Sequence, residues 1–255
     1  MLESLAQIGL LLGAAFVAGA VNSIAGGGTL FTFPSLLAIG AAPLTANGTS
    51  TLALVPGSAA SVVGYWREVA RTRLALWFCA PSLAGGGLGA WLSLRAGDKL
   101  FAQAVPWLIL AGTVLFLVQD VLRRRLVVAS KAPAATGGRL AGLLFVQLLV
   151  SIYGGFFGAG MGILILATLA AAGFHDVHEM NGLKSVTAVC INGIAAVTFI
   201  AFGRVLWPQA ALMAAGAVAG GYAGARVARR LSQTLVRRLI VVAGFILSAL
   251  TFFEL

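Results

Sequence analysis

The sequence predicts an all-α integral membrane protein, a multi-helix bundle of two repeats with inverted topology and short helices after glycine-rich breaks. Of its 255 residues, 60% are hydrophobic and only 9% are charged, whereas about a quarter of the residues in a soluble domain are charged. The apolar stretches are continuous rather than alternating, so helices are favoured over a β-barrel. A glycine break followed by an Asn-Gly pair occurs twice, 134 positions apart, which indicates an internal repeat.

The chain divides into ten apolar segments, five on each side of a polar linker. A helix that crosses a membrane needs about 20 residues, and the second and seventh segments, with 11 and 12 residues, are too short. Each follows directly on a glycine break and is predicted to be a half-helix or a re-entrant piece. The segments are 5–24, 30–40, 45–66, 74–94 and 101–122, then 140–157, 163–174, 180–202, 206–225 and 235–253.

The two repeats, residues 1–125 and 139–255, are predicted to have opposite orientations in the membrane. If each short segment crosses separately, each half crosses five times; if it pairs with its predecessor as a re-entrant unit, each half crosses three times. Both counts are odd, and an odd count inverts the second half relative to the first. Residues 126–138 between the repeats are predicted to form a basic cytoplasmic linker.

The distribution of Lys and Arg predicts that both termini are extracytoplasmic. Thirteen of the 17 basic residues fall in loops of one side and three in loops of the other, and positive residues are enriched on the cytoplasmic side. This bias explains the net charge of +10 better than a nucleic-acid partner does. The thirteen are Arg67, Arg71, Arg73, Arg123, Arg124, Arg125, Lys131, Arg139, Arg226, Arg229, Arg230, Arg237 and Arg238; the three are Arg95, Lys99 and Arg204.

The two glycine breaks are the first candidates for a binding site. Gly26-Gly27-Gly28 precedes a half-helix predicted to open at Thr29, and Gly160-Met161-Gly162 precedes one predicted to open at Ile163. A helix amino terminus presents free N–H groups and a positive dipole, and glycines there let an anion approach closely. In an inverted repeat the breaks meet near the pseudo-two-fold axis and would surround one small anion. Cation binding by unwound carbonyls is the alternative, disfavoured because no Asp or Glu lies deep in the apolar sequence.

Polar residues at helical spacing follow each break and are the second group of candidates. They either contact a substrate or form hydrogen bonds between packed helices. The second interpretation is a strong competitor for Ser and Thr and a weaker one for the repeated Asn-Gly pair. The group comprises Asn47, Gly48, Thr49, Ser50 and Thr51 in the first half, and Asn181, Gly182, Lys184, Ser185 and Thr187 in the second.

Lys184 is the one basic residue inside an apolar segment. Isolated charges at such positions are costly and usually face a water-filled path or a partner. Two interpretations compete: the ammonium faces an anion, or it extends to the cytoplasmic surface about one helical turn away.

Other features are predicted to be structural. The cluster from His175 to Glu179 is interpreted as a loop that caps the next helix rather than as a metal or proton site. Cys79 and Cys190 are expected to be small buried hydrophobic residues. Two glycine pairs near residues 85–90 and 220–225, offset by 135, are predicted to be helix-packing faces. No catalytic motif stands out, so an enzyme is disfavoured and no cofactor or metal is expected.

The chain resembles the TauE/SafE family of sulfite-exporter-like membrane proteins over nearly its whole length. The resemblance rests on residues 19–28 leading into Pro34, on residues 46–50, and on residues 154–162 leading into residues 181–185. It implies transport of small sulfur-containing anions, such as sulfite or sulfoacetate, across the bacterial cytoplasmic membrane. Met161 interrupts the second glycine run and Thr168 stands where the first repeat has Pro34, so the two half-sites are not equivalent.

These observations predict a secondary transporter of a small anion in the inner membrane, working by alternating access. Its expected partners are the anion, a coupling proton or sodium ion, and lipid. A non-transporting membrane scaffold and a transporter of an unrelated carboxylate are the alternatives. The predicted substrate-binding residues are Asn22, Gly26, Gly27, Gly28, Thr29, Asn47, Gly48, Thr49, Ser50, Gly160, Gly162, Asn181, Gly182, Lys184 and Ser185.

Overall fold

A computed structural model describes residues 4–24, 26–70, 75–129, 137–174 and 176–227, together with positions 241, 242, 244–246, 248, 249 and 252. Every described element is an α-helix. The helices are α1 (Leu5–Ile24), α2 (Thr29–Ala38), α3 (Pro43–Gly64), α4 (Trp66–Val69), α5 (Ala75–Ala129), α6 (Gly137–Phe156), α7 (Met161–Ala171), α8 (Val177–Ala201) and α9 (Trp207–Val227).

Four of these helices are long and apolar enough to cross a membrane: Leu5–Ile24, Leu76–Val118, Gly137–Phe156 and Val177–Ala201. Their exposed surfaces carry large apolar side chains such as Phe16, Trp91 and Phe145. Exposed apolar belts of this kind need lipid rather than water around them. The chain is therefore a helical integral membrane protein, as predicted.

The second and seventh predicted segments are short helices in the structure. α2 has 10 residues and α7 has 11, and each is joined by a few residues to the long helix before it. The predicted start of the second one, Ile163, is wrong, because α7 begins two residues earlier at Met161. Gly160 before it has a φ of +75° and turns the chain directly into the helix.

The break in the second half is shifted by two residues relative to the sequence repeat. α1 ends where the N–H of Gly26, at a φ of +80°, donates to Val21 O, and α6 ends where the N–H of Gly158, at +81°, donates to Tyr153 O. These two glycines are 132 positions apart, whereas the Asn-Gly pairs in α3 and α8 are 134 apart. The aligned glycine runs are therefore not structural equivalents residue by residue.

The segments predicted at 74–94 and 101–122 form one helical run with a sharp bend. Gly97 has a φ of 73° and a ψ of 170°, which breaks α5 into two arms, 75–96 and 98–129. Asp98, directly after the bend, accepts a hydrogen bond at 2.9 Å from Arg204 Nη1 in the turn after α8. The bend confirms the predicted turn between the two segments.

The two halves are interlocked, because the helices of each pack on helices of the other. α1 and α3 both pack on α9, while α6 and α8 both pack on α5. The contacts repeat with the halves exchanged: a Cβ at Gly85 would lie 2.6 Å from Leu148 O, and one at Gly220 would meet Phe16 O. Each half therefore supplies one helix, α5 or α9, that two helices of the other half pack against.

The predicted glycine packing faces are confirmed by these contacts. A Cβ at Gly86 would lie 2.7 Å from Ile191 O, and one at Gly221 would meet Gly57 O. Because the obstacles are backbone atoms, only glycine lets these helices approach so closely. Gly57 and Ile191 are 134 positions apart, so α3 and α8 keep the register of their Asn-Gly pairs.

Several sequence predictions fall outside the described residues. They concern Ala25, His175, most of the linker and much of the segment at 235–253, together with the basic residues Arg71, Arg73, Lys131, Arg229, Arg230, Arg237 and Arg238. At the edges of the linker, α5 continues to Ala129 and α6 begins at Gly137.

Candidate functional site

The two glycine breaks touch each other. At Gly26 a Cβ would lie 2.6 Å from the Cα of Gly162 and 3.1 Å from its backbone nitrogen, so the backbones of the two halves are in direct contact. Both glycines are buried. Since Gly26 also has a φ of +80°, a residue with a side chain is excluded there by conformation as well as by space. The expected meeting of the breaks is present.

A narrow cavity adjoins this contact and is lined by both halves. The space open to the centre of a water molecule is about 10 Å³, roughly enough for one water. Four lining residues come from the first half and five from the second: Asn22, Gly26, Ser58 and Ser61, and Met161, Gly162, Lys184, Ser185 and Ala188. Five of these nine belong to the predicted set.

Lys184 is the charged group of this cavity. Its side chain is 1% exposed, so the interpretation that it extends to the cytoplasmic surface is wrong. The ammonium donates to Ser23 O at 3.2 Å and to Asn181 Oδ1 at 3.0 Å. An ammonium has three N–H donors, and these two hydrogen bonds leave one for the cavity.

The groups that hold Lys184 are neutral. Ser23 lies in the last turn of α1, where the helix dipole places partial negative charge, and Asn181 supplies an amide oxygen. Among the described residues no Asp or Glu forms an ion pair with Lys184. A buried charge without a counter-charge is costly. The cavity is therefore a positive site without a resident protein anion.

Asn22 occupies the amino end of α2. Its Oδ1 accepts hydrogen bonds from the backbone N–H groups of Gly27 and Gly28, both at 2.7 Å. Those two amides, which the sequence analysis expected to face an anion, are thus satisfied within the chain. A Cβ at Gly27 would meet the Phe116 ring, and one at Gly28 would lie 2.7 Å from Ala18 O.

The amino end of α7 differs from that of α2. No side chain caps it, and at the 132-residue offset of the breaks Gly154, which has no side chain, stands where the first half has Asn22. Gly162, in the first turn of α7, lines the cavity. Of the two half-helices, only α7 therefore presents its first turn to the cavity.

The Asn-Gly pair of the first half lies away from the cavity. Asn47 Nδ2 donates to Phe156 O at 3.0 Å, Thr49 Oγ1 accepts from the N–H of Leu206 at 2.9 Å, and Ser50 Oγ is 2.5 Å from Thr32 Oγ1. A Cβ at Gly48 would meet Arg204 O. The expectation that both Asn-Gly pairs surround one site is not met by the structure.

The antiparallel packing of α3 and α8 is the reason. The beginning of α3 lies beside the end of α8, as the contact of Gly48 with Arg204 shows, and the end of α3 lies beside the beginning of α8. There a Cβ at Gly182 would lie 2.7 Å from Val69 Cγ2 and 3.2 Å from Tyr65 Cβ. The cavity sits at this second end, so α8 contributes its first turns and α3 contributes its last.

Four lining residues were missed by the sequence analysis: Ser58, Ser61, Met161 and Ala188. Ser58 and Ser61 follow Asn47 and Ser50 by 11 positions each, which is three helical turns and returns to the same face. That spacing was a detectable signal. Met161 and Ala188 carry none, since apolar residues are abundant throughout the chain.

The cluster after α7 caps a helix, as predicted. Asp176 Oδ1 accepts from the N–H groups of His178 at 2.7 Å and Glu179 at 2.9 Å at the start of α8. The N–H of Glu179 is the main cause that lowers the pKa of Asp176 below its ordinary value. Within the described part of the chain no His, Cys, Asp and Glu side chains gather as a metal site.

The two cysteines are neighbours in space. Cys79 in α5 and Cys190 in α8 are both half-buried, and their thiols are close enough to interact. Nothing in their sequence positions indicated this contact, because it depends on the packing of α8 on α5.

Comparison with known proteins gives consistent results over the whole chain. The profile of the family described as "Sulfite exporter TauE/SafE" matches residues 11–251. A "Probable membrane transporter protein" of Haemophilus influenzae is 30% identical over 95% of this chain and 93% of its own length. "Probable membrane transporter protein YfcA" of Escherichia coli K12 is 29% identical over 95% and 88%. "Probable membrane transporter protein ORF9" of Sinorhizobium sp is 28% identical over 94% and 90%.

Proposed function

The chain belongs to the TauE/SafE family of sulfite exporters, and on that premise we propose that it is a secondary transporter of a small anion. The proposed substrate is a sulfur oxyanion or an organosulfonate, and the proposed site is the cavity between the two glycine breaks. Transport across the bacterial inner membrane would follow alternating access, in which the two halves move relative to each other around this site.

The observation that carries the proposal is the buried ammonium of Lys184. It lines the cavity, is held by two neutral oxygens, and forms no ion pair with the described residues. An anion in the cavity would supply the missing counter-charge. Binding would also be moderate, because the hydrogen bonds to Ser23 O and Asn181 Oδ1 already offset part of the cost of the buried charge.

The neutral lining suits an oxyanion. Ser58, Ser61 and Ser185 bring hydroxyls to the cavity, and Gly162 brings the first turn of α7. Ser61 Oγ donates to Gly57 O at 3.0 Å and Ser185 Oγ to Asn181 O at 2.8 Å. Hydroxyls can rotate to donate to a ligand instead. A tetrahedral or pyramidal oxyanion accepts several hydrogen bonds at once and matches such a donor set.

The narrowness of the cavity implies movement. Space for about one water does not admit a sulfonate or sulfite together with its oxygens. The contact between Gly26 and Gly162 is the place where the two halves must separate, because there the backbones touch without intervening side chains.

The experiment measures anion-dependent thermal stabilisation of the purified protein across sulfur oxyanions, sulfonates and carboxylates. We expect stabilisation by at least one sulfur anion and its loss in Lys184→Met, with affinity reduced roughly tenfold to a hundredfold. Lys99→Met, which removes an exposed lysine beside the bend of α5, is the matched control and retains it. Equal affinity in Lys184→Met for every anion would remove Lys184 from the site.

Uptake into proteoliposomes separates a transporter from a membrane scaffold. A transporter moves the stabilising anion into vesicles, and Lys184→Met does so more slowly at low substrate concentration. Anion binding without any movement across the bilayer would favour the scaffold.

The proposed orientation places both termini outside the cytoplasm. In a background of Cys79→Ala and Cys190→Ala, cysteines at Glu3 and Glu254 are expected to react with an impermeant maleimide added to intact cells. Reaction only after lysis would reverse the orientation.

A further inference from the structure

Asn47 has a buried oxygen without a partner. Its side chain is fully buried, its Nδ2 donates to Phe156 O at 3.0 Å, and its Oδ1 has no hydrogen bond among the described residues. The orientation of the amide is fixed, because a flipped amide would set Oδ1 against the carbonyl oxygen of Phe156. A buried acceptor left unsatisfied costs about 1–3 kcal/mol, so this oxygen needs a partner that the described chain does not supply, either an ion or a water.

The second half shows what stands at the corresponding place. Asn181 occupies the position of Asn47, and its Oδ1 accepts from the ammonium of Lys184 at 3.0 Å. That ammonium also binds Ser23 O in the last turn of α1. One buried positive charge therefore joins the Asn oxygen to a helix carboxyl end.

The first half has the same oxygens but no ammonium. Ser50 stands at the position of Lys184, and its hydroxyl carries no charge. Phe156 O, in the last turn of α6, accepts from the Asn47 amide, and Ser23 O, in the last turn of α1, is the second acceptor of the Lys184 ammonium in the other half. The carboxyl end of a helix carries partial negative charge, and its last carbonyl groups lack partners within the helix.

Two buried hydroxyl groups lie about one helical turn from Asn47 along α3. Ser50 lies one turn after Asn47 on the same face of α3, and its Oγ is 2.5 Å from Thr32 Oγ1. Thr32 Oγ1 lies 3.2 Å from Gly28 O and donates to it. Ser50 is then the donor to Thr32, and both hydroxyls keep lone pairs. These groups are buried, and all of them are acceptors without formal charge.

We propose that Na⁺ binds at Asn47, where it takes the place that the Lys184 ammonium occupies in the other half. Carbonyl, amide and hydroxyl oxygens are the ligands that hard cations prefer, and transporters of inverted-repeat architecture place such ions at broken helices. A single positive charge suits a site without a carboxylate. This inference rests on the proposed function, since the ion would couple its own movement to that of the anion.

The test is binding of radioactive ²²Na⁺ to the purified full chain at constant chloride, with choline replacing unlabelled Na⁺. We expect saturable binding in the wild type and at least tenfold weaker binding in Asn47→Ala. Thr198→Ala is the matched control, because its hydroxyl donates only within α8, to Ile194 O at 2.9 Å. Absence of saturable binding at 100 mM Na⁺, or equal binding in Asn47→Ala, overturns the site and leaves water as the partner of Oδ1.

A second variant covers the case in which Asn47→Ala does not fold. Asn47→Asp keeps the oxygen and adds negative charge, but it also sets a carboxylate oxygen against Phe156 O, so Na⁺ raises its melting temperature more than that of the wild type; an equal or smaller rise overturns the site. Stabilisation by anions in choline chloride is recorded in parallel. If anions bind and Na⁺ does not, the inference fails while the proposed anion transport stands. If Na⁺ binds and no anion does, the proposed function fails.

Discussion

The two glycine breaks have the same architecture and different chemistry. In the first, Asn22 turns back and saturates two amides at the amino end of α2. In the second, Gly154 stands at the position of Asn22 when the breaks are aligned, and no side chain caps α7. In the first break Asn22 satisfies two backbone amides, whereas in the second the first turn of α7 lines the cavity. The two halves thus contribute different groups to the cavity: Asn22 and Gly26 from the first break, and Gly162 in the first turn of α7 from the second.

The same division appears in the long helices that follow the breaks. Asn181 holds an ammonium, whereas Asn47 holds a backbone carbonyl with its nitrogen and leaves its oxygen unsatisfied. Ser50 stands at the position of Lys184 and adds no charge. The first half therefore keeps the helix scaffold without a second buried charge.

The largest effect is expected at the contact between the two breaks. Gly26→Ala forces its Cβ to within 2.6 Å of Gly162 Cα and also holds alanine at a φ of +80°. Overpacking and left-handed backbone together cost about 2–5 kcal/mol. Gly9→Ala is the control, because a Cβ there meets nothing within 4 Å. The melting temperatures of Gly26→Ala and Gly9→Ala are compared in detergent. Equal values would show that moving the two breaks apart costs no free energy of folding.

The next effect concerns the residue that positions Lys184. Asn181→Ala removes one of two hydrogen bonds to the ammonium but keeps its charge. Anion affinity should fall by about 1 kcal/mol or roughly fivefold, less than in Lys184→Met. The ratio between the two variants is the measurement, taken by calorimetry with the stabilising anion. A larger loss in Asn181→Ala than in Lys184→Met would mean that Asn181 itself binds the anion.

Part of this site was readable from the sequence. The meeting of the breaks followed from the repeat, because glycine runs are conspicuous in apolar sequence. The isolated Lys184 was equally conspicuous, but the sequence left two interpretations open, and only its burial in the structure excludes the surface one. The position of Asn22 was not readable as a cap, since its function depends on how residues 22–28 fold back. Ser58 and Ser61 were missed because they lie near the carboxyl end of α3. That end faces the cavity only because α3 packs antiparallel to α8.

The helix ends were predicted less well than the helices. Each half-helix was recognised by its length, yet the start of α7 was misplaced because the glycine run was aligned with that of the first half. The structure gives the two breaks a different spacing from that of the Asn-Gly pairs. This two-residue shift leaves the composition and the hydrophobic periodicity of the sequence unchanged. It is visible only in the backbone conformations of Gly158 and Gly160.

A smaller loss of stability is expected when the Asn22 hydrogen bonds in the first break are removed. Asn22→Ala leaves the amides of Gly27 and Gly28 without their acceptor. Loss of such a cap costs about 0.5–2 kcal/mol, seen as a lower melting temperature. Ser23→Ala is the adjacent control, since its hydroxyl donates only to Ala20 O in its own helix. If an anion restores the melting temperature of Asn22→Ala, it binds the amides of Gly27 and Gly28 that the substitution frees. The chemical difference between the two breaks would then depend on the Asn22 side chain alone.

The smallest loss of stability is expected from the side-chain cap that distinguishes the start of α8 from the start of α3. α3 begins with Pro43 and no side-chain cap, whereas α8 begins with Asp176, whose carboxylate accepts two backbone N–H groups. Asp176→Ala should cost about 1 kcal/mol, and Asp176→Asn much less, because asparagine caps nearly as well. These hydrogen bonds lower the pKa of Asp176, so its stabilising contribution is present above the ordinary aspartate pKa and is lost as the pH falls through the lowered one. Melting temperatures of the three proteins are measured from neutral to acid pH. The wild type and Asp176→Ala should converge on acidification, because the wild type then loses its charged cap, while Asp176→Asn, whose amide does not titrate, keeps its advantage over Asp176→Ala. A difference between the wild type and Asp176→Ala that persists unchanged at acid pH would mean that Asp176 acts by packing rather than by its charge.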